Sequence, residues 1–173
     1  VILKPLSLAD LEQIRRWRNQ LMPAWRTPYM LTEKMQEDFY TNVVNNRQSN
    51  MRLWGFWAEE KWAEIFIGDG GIENISLENR TGEISILIGP DYRGRGYGAE
   101  AIRLILKQGF DVLNLDVVWA ECYLCNESIA FWKKMARQYQ CEEYQLPYRK
   151  FWEGRYWPAM FFYFVREICK PLL

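Results

Sequence analysis

A chain of 173 residues is long enough to bury most of its apolar surface around one core, so a single domain over residues 1–173 is expected. Lysine plus arginine balances aspartate plus glutamate at 22 each, so no net field points to a nucleic acid or an anionic membrane as partner. Histidine is absent, which removes the commonest general base and the commonest transition-metal ligand; no metal centre is expected, and acid–base work falls to Glu, Asp, Tyr, Cys or water.

Ser7-Leu8-Ala9-Asp10 reads as a helix start, a capping hydroxyl with an acid three residues on. Leu8, Leu11, Ile14, Trp17 and Leu21 then recur at helical spacing until Pro23 and Pro28 end the run. Thr32 can cap a second helix whose Met35, Phe39 and Val43 share a face, closed by the polar stretch Asn45 to Asn50. Strands follow. Arg52 to Ala58 and Trp62 to Gly68 flank Glu59-Glu60-Lys61, and Asp69 to Leu77 is joined to Glu83 to Gly89 by the turn residues 78–82. In the last of these, Ile84, Ile86 and Ile88 alternate with Glu83, Ser85 and Leu87, so its two faces differ.

After Gly89 the period changes: Ile102, Ile105, Leu106, Phe110 and Leu113 form one helical stripe opposite Glu100, Arg103, Lys107 and Asp111, until Asn114 breaks it. Val117 to Tyr123 reads as a strand, Glu127 to Met135 as a short helix, and Phe151 to Tyr156 with Ala159 to Arg166 as closing strands around a turn. This order predicts an α+β fold around one mixed sheet.

Cys122-x-x-Cys125 invites a zinc reading, but Cys141 and Cys169 are isolated and supply no second ligand pair. Reduced thiols in a cytoplasmic protein are the simpler expectation, since no basic stretch followed by an apolar run opens the chain. The longest apolar run, Ala159 to Val165, is far too short to cross a bilayer. The 9 Trp, 10 Tyr and 9 Phe fill a core and a dimer surface, or line a cleft that holds a cation against aromatic faces.

The most informative segment is the loop Gly89-Pro90-Asp91-Tyr92-Arg93-Gly94-Arg95-Gly96-Tyr97-Gly98-Ala99, which joins a strand to the amphipathic helix. N–H groups at a helix start lack intrahelical partners, glycine lets an anion approach them, and the positive helix end adds attraction, so a phosphate site is expected. Arg93 and Arg95 can add charge from the rim. No Gly-Lys-Ser/Thr follows the turn, and Asp116 precedes the next strand instead of ending it, so neither a P-loop nor a dinucleotide fingerprint fits.

Arg93, Gly96 and Gly98 match the acyl-CoA motif of the GNAT acetyltransferase superfamily, Gln/Arg-x-x-Gly-x-Gly/Ala, which the loop resembles. Trp119-Ala120-Glu121 leading to Asn126, and Ser128 to Met135, are similar to that family's next strand and its Asn-containing helix. The opening Leu3 to Leu6 through Trp17-Arg18-Asn19, and the hairpin Phe151 to Tyr156, resemble the branch of ribosomal-protein alanine and spermidine acetyltransferases.

The resemblance implies a mostly antiparallel central sheet flanked by helices, acetyl-CoA as cosubstrate, and acetyl transfer to an amine acceptor, either a small molecule or a protein N-terminus. A homodimer is also expected. The pantetheine arm would lie along the backbone of Ile86, Leu87 and Ile88, the pyrophosphate on the amides of Arg93, Gly94, Arg95, Gly96, Tyr97, Gly98 and Ala99, and Asn126 would touch the cofactor, unless it merely caps a helix. Two glutamates match positions that serve as base in different branches, Glu83 and Glu121, with Glu121 preferred for its spacing to Asn126. Trp132 falls where the family carries the Tyr that protonates the leaving thiolate, and is counted with the cofactor contacts. Indole is no donor for that step, which leaves Tyr123, water, or an unaided thiolate. The same departure keeps open a non-catalytic acyl-CoA-binding sensor.

Overall fold

The computed structural model describes residues 1–21, 25–27 and 29–173; Pro23 and Pro28, expected to end the first helix, lie outside them. In chain order the elements are β1 (Ile2–Lys4), α1 (Leu8–Gln20), α2 (Glu33–Phe39) running on as a π-helical turn, β2 (Arg52–Glu60), β3 (Ala63–Ser76) and β4 (Thr81–Ile88). Then come α3 (Tyr97–Lys107), also prolonged by a π-helical turn, β5 (Val117–Tyr123), α4 (Ile129–Tyr139), β6 (Glu142–Trp152), β7 (Arg155–Val165) and α5 (Arg166–Cys169). The strands form one seven-stranded sheet in the order β1-β2-β3-β4-β5-β7-β6. Every neighbouring pair is antiparallel except β4 with β5.

Ser7 caps α1 as expected: its Oγ accepts from the Asp10 amide at 3.2 Å, and Asp10 Oδ2 accepts from the Ser7 amide at 2.8 Å, a reciprocal pair that stabilises a helix start by about 1 kcal/mol. Leu11, Ile14 and Trp17 then bury against Leu6 and Leu87 on one face of the sheet. The stripe of α3, Ile102, Ile105, Leu106 and Phe110, joins Met135 and Tyr139 of α4 to cover the other face, where Ile72, Ile84, Val118 and Phe162 meet it.

The structure departs from the sequence reading in five places, one of them β6, which begins at Glu142 and not near Phe151. β3 is one continuous strand of 14 residues, with no break after Gly68. A Cβ at Gly71 would stand 1.9 Å from the Arg52 carbonyl oxygen, and one at Gly68 2.1 Å from that of Leu87, so these glycines answer close backbone approach from both neighbours and do not mark a turn. α2 turns Gln36 inward, where its Nε2 donates to the Leu11 carbonyl at 2.9 Å, and leaves Met35 exposed. The closing turn sits at Glu153 and Gly154, both at positive φ, inside the stretch read as one strand. Pro158 is therefore within β7, opposite the irregularity between Leu146 and Lys150 of β6, which absorbs the ladder bond that proline cannot donate. β1, three residues on the sheet edge, was too short to register as a pattern.

Candidate functional site

β4 and β5 are paired at only three positions, Thr81 with Val117, Gly82 with Val118 and Glu83 with Trp119. Beyond Glu83 they diverge, while β4 stays paired with β3 as far as Ile88. Among the described residues, the edge of residues 84–88 that turns toward β5 is thus left without a strand. A cleft of about 730 Å³ opens along it, within the range that takes a small-molecule ligand. Ile86, Leu87 and Ile88 form one wall; Arg93, Gly94, Gly96, Gly98 and Ala99 line it, as do Glu83, Glu121 and Tyr123, and α4 and the turn before it bring Asn126, Phe131 and Trp132.

The loop has the backbone of an anion cradle. Gly94 and Gly96 stand at φ +75° and +88°, with nothing within 4 Å of where a Cβ would be, so the left-handed conformation itself calls for glycine. The Ala99 and Glu100 amides return to the Gly96 carbonyl, whereas the N–H groups of Gly94 through Gly98 have no acceptor among the described residues. They lie at and just before the positive end of α3. The arginines divide. Arg93 lines the cleft and donates from Nε to the Ile88 carbonyl at 3.2 Å, while Arg95 and Tyr97 both turn to Glu60 Oε1, at 2.7 and 3.1 Å.

Glu83 and Glu121 approach one another from β4 and β5 through a single residue, Arg26, that sequence reasoning did not single out. Its Nη2 pairs with Glu83 Oε1 and donates to Glu121 Oε2 at 2.7 Å, and its Nη1 donates to Glu83 Oε2 at 3.2 Å. Asn74, which enters at positive φ at the β3 irregularity, donates to Glu83 Oε2 at 2.8 Å. Arg149 donates to Glu121 Oε1 at 2.9 Å. The two carboxylate side chains are only 6% and 2% exposed, the Arg26 side chain 46%. Burial works against the charge of Arg26, but the two carboxylates outweigh it and raise its pKa above the ordinary arginine value.

Tyr123 is buried beside this cluster, and burial followed by the Glu121 charge raises its phenol pKa. Trp132 packs into the main core, 6.0 Å from Phe162 and 5.5 Å from Phe131 between ring centroids, so the indole reaches the cleft as a wall. Asn126 closes a local turn, its Oδ1 accepting from the Ser128 amide at 2.9 Å, and lines the cleft as well. The Cys122 thiol is pushed up to about 12 by burial, which fits packing in place of reactivity.

A further polar group lies on the same sheet face, along β3. Asp69 and Glu73 stand opposite Leu87 and Glu83 in register, and both line the cleft with Arg18. Burial pushes the Asp69 carboxyl up to about 7 against the opposing pull of Arg18, and burial likewise raises Glu73 against the opposing effect of Ser85. Arg18 is itself held below its ordinary value by burial. The signal was present in the sequence as the alternation Asp69, Gly71, Glu73, masked by the supposed break at Gly68.

The sequence pattern of the acetyltransferase (GNAT) domain matches residues 1–134. Spermidine N(1)-acetyltransferase of Escherichia coli (strain K12) is 30% identical over 118 residues, 66% of this chain. The chain spans 60% of the length of that curated relative. Among solved structures, spermidine N-acetyltransferase from Vibrio cholerae in complex with CoA and spermine superimposes with a TM-score of 0.84 at 21% identity, covering 98% of this chain and 97% of that one. A dodecameric structure of spermidine N-acetyltransferase from the same organism gives 0.76 at 20% identity, over 96% and 94% of the two chains.

Proposed function

This chain belongs to the GNAT acetyltransferase family, and from that premise we propose that it transfers an acetyl group from acetyl-CoA to the primary amine of a cationic acceptor, by direct attack on the thioester. The observation that carries the reading is the unpaired edge of β4, which runs between an anion cradle and two facing carboxylates. A strand edge takes an extended amide-bearing arm as it would take another strand, so the backbone of Ile86, Leu87 and Ile88 receives the pantetheine. The free amides of Gly94 through Gly98 hold the pyrophosphate.

An alkylamine with a pKa near 10.4 is only about one part in 10³ neutral at pH 7, and only the neutral form attacks. Glu83 is the base we favour. Glu121 is also held by the permanent cation of Arg149, whereas the second partner of Glu83 is the neutral amide of Asn74, so among the described residues only Glu83 lacks a second cationic partner. Tyr123, kept protonated by burial and lining the same cleft, returns a proton to the leaving thiolate in this reading.

The acceptor is an aliphatic polyamine in this reading. Asp69, Glu73, Glu83 and Glu121 all line the cleft, and relatives named for spermidine support the same class. A cytoplasmic location and self-association belong to the proposal too, the latter supported by the dodecameric relative. Thiol release from acetyl-CoA, measured against spermidine, spermine, monoamines and an N-terminal peptide, tests it. Turnover fastest with the polyamines is the expected result. Acetyl-CoA binding without turnover of any amine would favour the sensor, the reading to which Trp132 in the place of the family's Tyr lends support.

A further inference from the structure

All four carboxylate oxygens of Glu83 and Glu121 already receive a donor. Arg26 serves Glu83 Oε1, Glu83 Oε2 and Glu121 Oε2; Asn74 shares Glu83 Oε2, and Arg149 holds Glu121 Oε1. An acceptor amine that is to surrender a proton must come within hydrogen-bond reach of one of these oxygens. Each oxygen has lone pairs to spare, but the two side chains are only 6% and 2% exposed and Arg26 bridges them, so an amine entering between them meets Arg26 first. Asn74 is built into β3 and Arg149 into β6, whereas Arg26 stands between α1 and α2, outside any helix or strand. It is the only one of the three that engages both carboxylates, and nearly half of its side chain faces solvent.

Taking Arg26 away without a substitute would leave two buried carboxylates facing each other with Arg149, on Glu121, as their one remaining ion pair among the described residues, which is costly. A protonated amine entering the same place restores the charge. We infer that Arg26 is the resident cation of the acceptor site, exchanged for the acceptor's ammonium head on binding, so that acceptors are selected by competition with a guanidinium already in place. The inference rests on the proposal that the acceptor amine enters between Glu83 and Glu121. It brings in a second ligand class: an alkylguanidine presents the same planar fork that Arg26 presents, and it binds there in competition with the amine.

The test is titration calorimetry with spermidine and with butylguanidine on wild-type protein, Arg26→Ala and Arg26→Lys, each also titrated with acetyl-CoA. Removing the internal competitor should tighten spermidine binding roughly tenfold in Arg26→Ala. Arg26→Lys keeps the charge but loses the fork, so it should fold even if the alanine variant does not, and should bind spermidine several-fold tighter than wild type. Butylguanidine should compete with spermidine in all three proteins. Spermidine affinity unchanged or weakened in both variants, with wild-type turnover of amines intact, would overturn the exchange while leaving the acetyltransferase reading standing. If acetyl-CoA binds but neither cation binds any of the proteins, the acceptor site has been misplaced and the exchange falls with it.

Discussion

Arg26 is shared by Glu83 and Glu121, but Arg149 bonds only Glu121 and Asn74 only Glu83, so the two carboxylates are not equivalent. In Glu83→Gln the amide keeps the size and reach of the carboxylate but cannot accept the proton, so kcat should fall by roughly 10²–10⁴ with acetyl-CoA affinity intact. Glu121→Gln should chiefly raise KM for the acceptor. Steady-state kinetics on the true amine decides between them, and the Glu83 variant should recover at high pH as free amine becomes abundant. A full-rate Glu83→Gln would remove Glu83 as the base. Both glutamates stood out in the sequence because each lies on a strand beside a recognisable motif. Arg26 did not, since its partners are 57 and 95 residues away and nothing in its own neighbourhood announces them.

At the scale of elements, the loop into α3 is the part whose sequence and geometry agree most closely. A Cβ at Gly98 would lie 3.3 Å from the Phe131 ring and 3.8 Å from Ile88, so a larger side chain there must turn into the cleft. Gly98→Trp is expected to weaken acetyl-CoA binding by roughly a hundredfold while the protein stays folded; calorimetry with an unchanged Kd would mean the pyrophosphate lies elsewhere. The long helices and the loop were legible because apolar spacing and left-handed glycines are local signals, as Ile102, Ile105 and Gly96 show. The continuity of β3 and the long β6 were not. Gly68 and Gly71 are glycine because neighbouring strands crowd them, and most of β6 is exposed on the sheet edge, so neither carries a pattern that a single strand reveals. The same holds for the polar row Asp69 and Glu73, which becomes a row only once Glu83 is opposite.

For the whole molecule, Asp69 ties stability to pH. Its folded value of about 7 lies above the unfolded value of about 3.9. Below about pH 4 the carboxyl is protonated in both states; between about 4 and about 7 only the unfolded chain releases the proton, so stability falls as pH rises across that window and the loss is complete above it. Asp69→Asn lacks this dependence. Urea unfolding at about pH 5 and about pH 8 should show the variant gaining on wild type at the higher pH; an equal difference at both would rule the effect out. Beyond such single groups stands the way the sheet is joined. Its halves, β1 to β4 and β5 with β7 and β6, share hydrogen bonds at three residue pairs near one end, and the apolar core under α3 and α4 is what otherwise joins them. A ligand bonded along the open edge would add a link between those halves at the end that the three pairs do not reach.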